Sequence, residues 1–304
     1  MTDTSTKCGV VAVLGAPNAG KSTLVNALVG QKVAIVSAKA QTTRARMLGI
    51  ALHENDDANT QMILVDTPGI FAPKRRLDRA MVSAAWEGAE SADAVLLLVD
   101  PIKQRRHELE PLIEQLAQRP EKKILVLNKV DIAKKEPLLA LAQELSAKVD
   151  FAEIYFISAL TGDGVVELKD ALAAEMPEGE WMYPEDQVSD ASERLLATEI
   201  TREQLYRQLH EELPYDSAVR PEKYVERKDG SVEIHQQIVV MRDNQRMIVL
   251  GKGGSKIKSI GQAAREELSE LLGRKVHLFL HVKATENWAE DKEMFEEMGL
   301  DWVR

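Results

Sequence analysis

Residues 10–30 read VVAVLGAPNAGKSTLVNALVG. The run from Val10 to Leu14 is apolar at every position, as a strand covered on both faces is, and TLVNALVG resumes with helical spacing. Between them lies GAPNAGKS, which has the spacing G-x4-G-K-S. A glycine loop joining a strand to a helix N-terminus is a phosphate cradle. Its backbone N–H groups, from Gly15, Ala16, Pro17's neighbours, Asn18, Ala19 and Gly20, surround the phosphates. Lys21 is expected to reach the β and γ oxygens and the Ser22 hydroxyl to ligate Mg²⁺.

Four more apolar runs follow before residue 176: QMILVD at 61–66, AVLLLVD at 94–100, KKILVLN at 122–128 and IYFISA at 154–159. Alternating with helical patterns, they predict an α/β unit with a doubly wound, largely parallel sheet. In such a sheet the ligand lies at the carboxyl ends of the strands, so the loops there should converge. The loop after residue 65 is Asp66-Thr67-Pro68-Gly69, with Asp66 expected to hold Mg²⁺ through water and the Gly69 N–H to meet the γ-phosphate. The next is Asn128-Lys129-Val130-Asp131. The Asp131 carboxylate could accept from guanine's ring N–H and amino group together, whereas adenine would leave it unpaired, which favours GTP and GDP over ATP. Ser158-Ala159 offers a backbone N–H for the guanine carbonyl. Ile70 follows Gly69 where Ras-like GTPases carry a water-orienting glutamine, so intrinsic turnover should be slow.

The pattern stops at MPEGEWMYPEDQVSD, 176–190, rich in proline and acid. The expected division is a nucleotide unit over 1–176, a linker over 177–188 and a second, smaller α+β unit over 189–304. The second unit contains VLGKGGSKIKSI at 249–260. No strand precedes its GKGG and no Lys-Ser/Thr closes it, so it is not a second phosphate loop. It joins two helical patterns, and a helix-GxxG-helix turn is the KH module's clamp for about four single-stranded nucleotides. Gly251, Lys252, Gly253 and Gly254, with Arg242, Arg246, Lys256 and Lys258, are the expected RNA-binding residues. The chain carries a formal charge of -10, yet Arg242 to Lys283 holds nine Lys/Arg against four Asp/Glu. An acidic protein with one basic segment has a dedicated polyanion site.

GAPNAGKS, QTTR at 41–44, DTPG, NKVD and SAL resemble the GTPase domain of the Era family, and the GKGG module resembles a type II KH domain, which that family joins to its GTPase. The resemblance covers essentially the whole chain. It implies that Thr43, with Thr42 as the alternative, closes on Mg²⁺ and the γ-phosphate in the GTP state, placing Thr43 with Lys21, Asp66, Gly69 and Asn18 in the hydrolytic site. It gives Asn18 a share in holding a K⁺ ion against the phosphates; a loop-stabilising asparagine is the other reading. It implies single-stranded RNA from the 3′ region of small-subunit ribosomal RNA as partner, and small-subunit assembly as the task. Two rival readings are an RNA chaperone with a structural nucleotide site and a membrane-associated cell-division GTPase. No apolar run approaches the ~20 residues of a membrane-spanning helix, and the first residues lack the pattern of a signal peptide. A single cysteine, Cys8, leaves no internal disulfide. A cytoplasmic monomer is expected, with peripheral contact at the inner membrane face as a variant.

Overall fold

Near-continuous Val, Ile and Leu runs need apolar cover on both faces, and the first half of the chain supplies it. In this computed structural model, residues 5–39, 41–55, 58–103 and 106–303 are described. The elements of the first half are β1 (Ser5–Leu14), α1 (Lys21–Val29), β2 (Met47–Glu54), β3 (Ala58–Asp66), α2 (Arg76–Glu87), β4 (Ala94–Val99), α3 (Arg106–Ala117), β5 (Lys122–Leu127), α4 (Lys135–Ser146), β6 (Glu153–Phe156) and α5 (Val165–Glu175). The strands form one sheet in the order β2-β3-β1-β4-β5-β6. All neighbours are parallel except β2, which runs antiparallel to β3. Successive residues point to opposite faces. Val11, Val13, Leu96 and Leu98 therefore join one core with Leu24, Leu28, Leu168 and Leu172 of α1 and α5. Ala12, Leu14, Val95, Leu97 and Val99 join the other with residues of α3 and α4 such as Leu112, Leu116, Leu138 and Leu145. Strand order reverses on either side of β1, which places the switch point of the sheet beside Gly15.

The chain divides into two units, and the first extends to residue 190. The proline-rich stretch after α5 is bound to the sheet of this unit. Pro177 accepts from Cys8 N at 3.1 Å and Val188 from Ile50 N at 2.8 Å. Gln61 uses both ends of its buried amide there, accepting from Met182 N at 2.9 Å and donating to the Tyr183 carbonyl at 2.8 Å.

The second unit contains α6 (Glu193–Gln208), β7 (Ser217–Glu226), β8 (Val232–Val240), α7 (Asp243–Leu250), α8 (Ser255–Leu271), β9 (Val276–Ala284) and α9 (Lys292–Glu297). Its sheet has the order β7-β8-β9, antiparallel then parallel. Buried residues of α6 and α8, including Ile200, Leu205, Ile260, Ala264 and Leu268, pack on one face of it. Trp288 anchors the C-terminal stretch, buried with its Nε1 donating to the Asp216 carbonyl at 3.0 Å. Residues 35–42 also belong to this unit, far from it in sequence. Ile35 enters its core with Ala197, Ile200, Val232 and Ala264. Val36 N donates to Glu203 Oε1 at 3.2 Å, and Lys39 Nζ donates to the carbonyls of Tyr206 and Leu209. A cation suits that place, because the last carbonyls of α6 lack helical partners.

Candidate nucleotide and RNA sites

A loop that wraps phosphates needs backbone close to its neighbours, and at three glycines a side chain would fit only if its neighbours moved. A Cβ on Gly15 would lie 2.3 Å from the Leu98 carbonyl oxygen, one on Gly20 2.3 Å from Asn128 Nδ2, and one on Gly69 2.7 Å from Pro17 N. Gly20 takes a left-handed φ of 103° and opens α1 with no side-chain cap, so the first N–H groups of the helix are left for a ligand. Lys21 is only 6% exposed. Its ammonium donates to the carbonyls of Gly15 at 3.1 Å and Ala16 at 3.0 Å. Burial lowers its pKa to about 8, with the charge of Asp66 acting the other way.

Three oxygens meet at the foot of α1. Ser22 Oγ lies 2.9 Å from Thr43 Oγ1 and donates to Asp66 Oδ2 at 2.7 Å, and Thr43 Oγ1 donates to the same oxygen at 3.2 Å. Hard oxygen donors are the set Mg²⁺ prefers, and the 2.9 Å between the two hydroxyls matches the edge of an octahedron with ~2.1 Å bonds, so Ser22 and Thr43 fit direct ligands of that ion with the Asp66 carboxylate beside them. Mg²⁺ bound there would neutralise charge developing on the phosphates. Thr42 is turned elsewhere, its hydroxyl donating to the Lys39 carbonyl at 2.8 Å. Thr67 braces the loop through a 2.7 Å bond to the Val13 carbonyl, and Pro68 and Gly69 are buried beside it. Ile70 N donates to the Gly15 carbonyl at 3.0 Å while its side chain joins the core with Leu14 and Ala85. That side chain presents no polar group to a water.

The base-side loops are tied to the phosphate loop. Asn128 Nδ2 donates to the Ala19 carbonyl at 2.8 Å and its Oδ1 accepts from Ala159 N at 2.9 Å. Lys129 Nζ donates to the Asn18 carbonyl at 2.9 Å. Val130 N donates to the Ile157 carbonyl at 3.1 Å, Ser158 is fully buried, and Asp131 stands exposed. The structure thus joins the phosphate loop to the base-side loops through Asn128 and Lys129, and Ser22 to Thr43 and Asp66 through their side-chain oxygens.

The GKGG turn has the opposite texture. Gly251, with φ 71°, ends α7, and its Cβ would meet Lys256 N at 2.9 Å, so it serves the turn itself. Gly253 and Gly254, with φ 59° and 78°, have nothing within 4 Å of a Cβ position. Arg242, Arg246, Lys252 and Lys258 are exposed or half-exposed around it. Lys256 is half-buried, and its ammonium donates to the Gln208 carbonyl at 3.4 Å.

Two residues beside this turn escape sequence reasoning. Met247 and Ile248 of α7 are 62% and 56% exposed, next to the glycines. Their apolar character reads as core, and the signal that they are not is the shortness of α7, where Val249 alone is buried.

Comparisons with known proteins agree with this geometry. Residues 10–129 match a family described as 50S ribosome-binding GTPase, and residues 212–289 match the KH domain. GTPase Era of Erythrobacter litoralis is 84% identical over 304 residues, covering 100% of both chains. GTPase Era of Afipia carboxidovorans is 56% identical over 299 residues, 98% of this chain and 96% of that one. The crystal structure of a single-substitution variant of Aquifex aeolicus Era bound to GDP.AlF4- superposes with a TM-score of 0.90 at 38% identity, covering 96% of this chain and 99% of that one. A structure of Era with MgGDPNP and nucleotides 1506-1542 of 16S ribosomal RNA gives the same score and identity, over 97% and 99%. Both halves of the chain, the crowded phosphate loop and the open glycine turn, are matched together and in order, and the chain belongs to the Era family of GTPases.

Proposed function

We propose that this chain is a Mg²⁺-dependent GTP-hydrolysing switch that binds single-stranded RNA from the 3′ region of small-subunit ribosomal RNA and acts in assembly of the small ribosomal subunit. The observation that carries the reading is the presence on one chain of two unlike glycine turns. Around one, Lys21, Ser22, Thr43 and Asp66 converge; the other is open and rimmed by Arg242, Arg246, Lys252 and Lys258. A similar protein has been crystallised with both kinds of ligand. In this reading Asp131 selects guanine, Ser22 and Thr43 ligate Mg²⁺ directly and Asp66 does so through water. Asn18 is the residue that would hold K⁺. The protein acts as a monomer in the cytoplasm. Among the described residues no helix is long and apolar enough to cross a membrane.

Thr43 directly follows the segment 35–42 that belongs to the second unit. A change at Thr43 between nucleotide states is therefore transmitted along the backbone to that segment, and RNA affinity should depend on the nucleotide. A coupling of about 1–3 kcal/mol corresponds to roughly 5–150-fold. The test is anisotropy of a labelled 16S 3′-terminal RNA with GDP and with GDPNP. Tighter binding with GDPNP, abolished by Lys252→Asp with Gly253→Asp, is expected. Equal affinities in both states would leave two independent modules, and no RNA binding in either would end the RNA reading.

A further inference from the structure

Asp100 lies at the carboxyl end of β4, outside every motif that names a nucleotide-binding residue. It is 3% exposed. Its two carboxylate oxygens have separate tasks. Oδ1 accepts from the backbone N–H groups of Ile102 at 2.9 Å and Lys103 at 3.1 Å, closing a local turn. Oδ2 accepts from Lys129 Nζ at 2.6 Å, 29 residues away in sequence. The same ammonium donates to the Asn18 carbonyl in the phosphate loop. Burial works against ionisation of Asp100, but the Lys129 bond and the two backbone N–H groups outweigh it and hold its carboxyl below the usual range.

Lys129, which carries that ammonium, and Asn18, which accepts from it, both hold unusual backbone. Asn18 has φ 64° and Lys129 has φ 66°. L-residues take the left-handed conformation at a cost of roughly 1–2 kcal/mol, and they keep it where surrounding contacts over-determine it, as happens at ligand clamps. Beside them, Asn128 makes the parallel link to Ala19. The base-side loop thus grips the phosphate loop at two successive residues, once through an amide and once through an ammonium whose counter-charge comes from β4.

We propose that Asp100 is a positioning residue of the nucleotide site, which acts through Lys129 to hold Asn18 and the phosphate loop in binding geometry. Without the carboxylate the Lys129 ammonium loses its buried counter-ion, and the bond that fixes Asn18 weakens with it. The inference rests on the reading of residues 15–22 and 128–131 as the guanine-nucleotide site.

The substitution Asp100→Asn isolates the charge, because an asparagine oxygen still accepts from Ile102 N and Lys103 N. GDP and GTP affinity, measured by calorimetry on the full chain, should both fall by about tenfold, the order of one charged hydrogen bond. The fall should appear in KM more than in kcat. In a Lys129→Met background the same substitution should cost nothing further; an equal loss in both backgrounds would show that Asp100 acts only on its own turn and would overturn the proposal. Hydrogen exchange of the nucleotide-free protein gives a second arm that needs no binding. Asp100→Asn should speed exchange of the amides of residues 18–20, whereas faster exchange at 102 and 103 alone would overturn it. If the native protein bound GDP no better than ADP, the site reading itself would fail, an outcome distinct from either of these.

Discussion

Gly20 precedes α1 and Gly254 precedes α8, each with a left-handed φ, 103° and 78°, and each near a lysine. Around Gly20 the space is full: Asn128 stands where a Cβ would go, and Lys21 is buried with its ammonium on loop carbonyls. Around Gly253 and Gly254 a Cβ would meet no neighbour, and Lys252 is exposed. The difference follows from what each turn must hold. The end of a nucleotide can be enveloped, so its loop is crowded and tied by hydrogen bonds to Ile70, Asn128 and Lys129. A polymer enters on one side and leaves on the other, so its turn has to stay open, and exposed cations meet it.

The largest effect that distinguishes the two turns should come from Gly20→Ala. The new Cβ displaces Asn128 from Ala19 and Ala159, and two buried hydrogen bonds at ~1–3 kcal/mol each correspond to about 30-fold or more in GDP affinity. Calorimetric titration with GDP checks this, and an affinity within a fewfold of native would mean that the Asn128 seat is dispensable.

Salt should act strongly on the open turn. Neutralising about three to five phosphates of a single strand gives a log-log slope of roughly -2 to -3.5, or about 16- to 130-fold weaker RNA binding between 50 and 200 mM. A flat salt titration would show that apolar contacts, such as those Met247 and Ile248 could make, dominate instead.

A third, smaller effect belongs to the closed loop alone. Phosphates bind the ammonium form of Lys21, whose pKa in the empty protein is lowered to about 8. Binding then takes up a proton above that pH, so GDP affinity should fall by about tenfold between pH 7 and pH 9. Stability of the empty protein should move the other way. From about pH 8 to the ordinary lysine value of 10.5 the unfolded chain holds the extra proton, so this residue's contribution to stability rises with pH. Affinity constant across that range would show that Lys21 keeps its proton beyond pH 9 or takes no part in holding the phosphates.

The smallest change should be Gly253→Ala, which meets no atom and costs only its left-handed φ, about 1–2 kcal/mol of stability. Thermal unfolding measures it. A loss much larger than this would mean that the turn is packed in a way its open surroundings do not suggest.

Legibility in the sequence tracked how local each signal is. The parallel strands were visible because cover on both faces makes them continuous apolar runs, and β3, β4 and β5 lie where those runs are. Strand β2 was not visible: in MLGIALHE a glycine interrupts a short apolar stretch that ends in His53 and Glu54. Strand β7 was hidden by Pro221 and a register shift beside it. The nucleotide site was legible because its motifs are contiguous and end strands. Asp100 was not, because an aspartate after a strand is common and its partner Lys129 is identified only in space. The same holds for Ile35, one residue of the short apolar stretch at 33–36, whose companions lie beyond residue 195.

The membership of residues 35–42 in the second unit also bears on how the protein is made. A ribosome releases the chain from its N-terminus, at about 5–20 residues per second. The segment ending at residue 42 emerges 149 residues before residue 191, where the rest of its unit begins; at those rates the wait is roughly 7 to 30 s. During that interval the first sheet can be completed, but Ile35 and Lys39 have no helix α6 to meet. The nascent GTPase unit therefore passes through a stage in which its phosphate loop can be built while the stretch leading into Thr43 is still unanchored. Completion of that stretch is tied to synthesis of the C-terminal unit, and a chain truncated before α6 never reaches it.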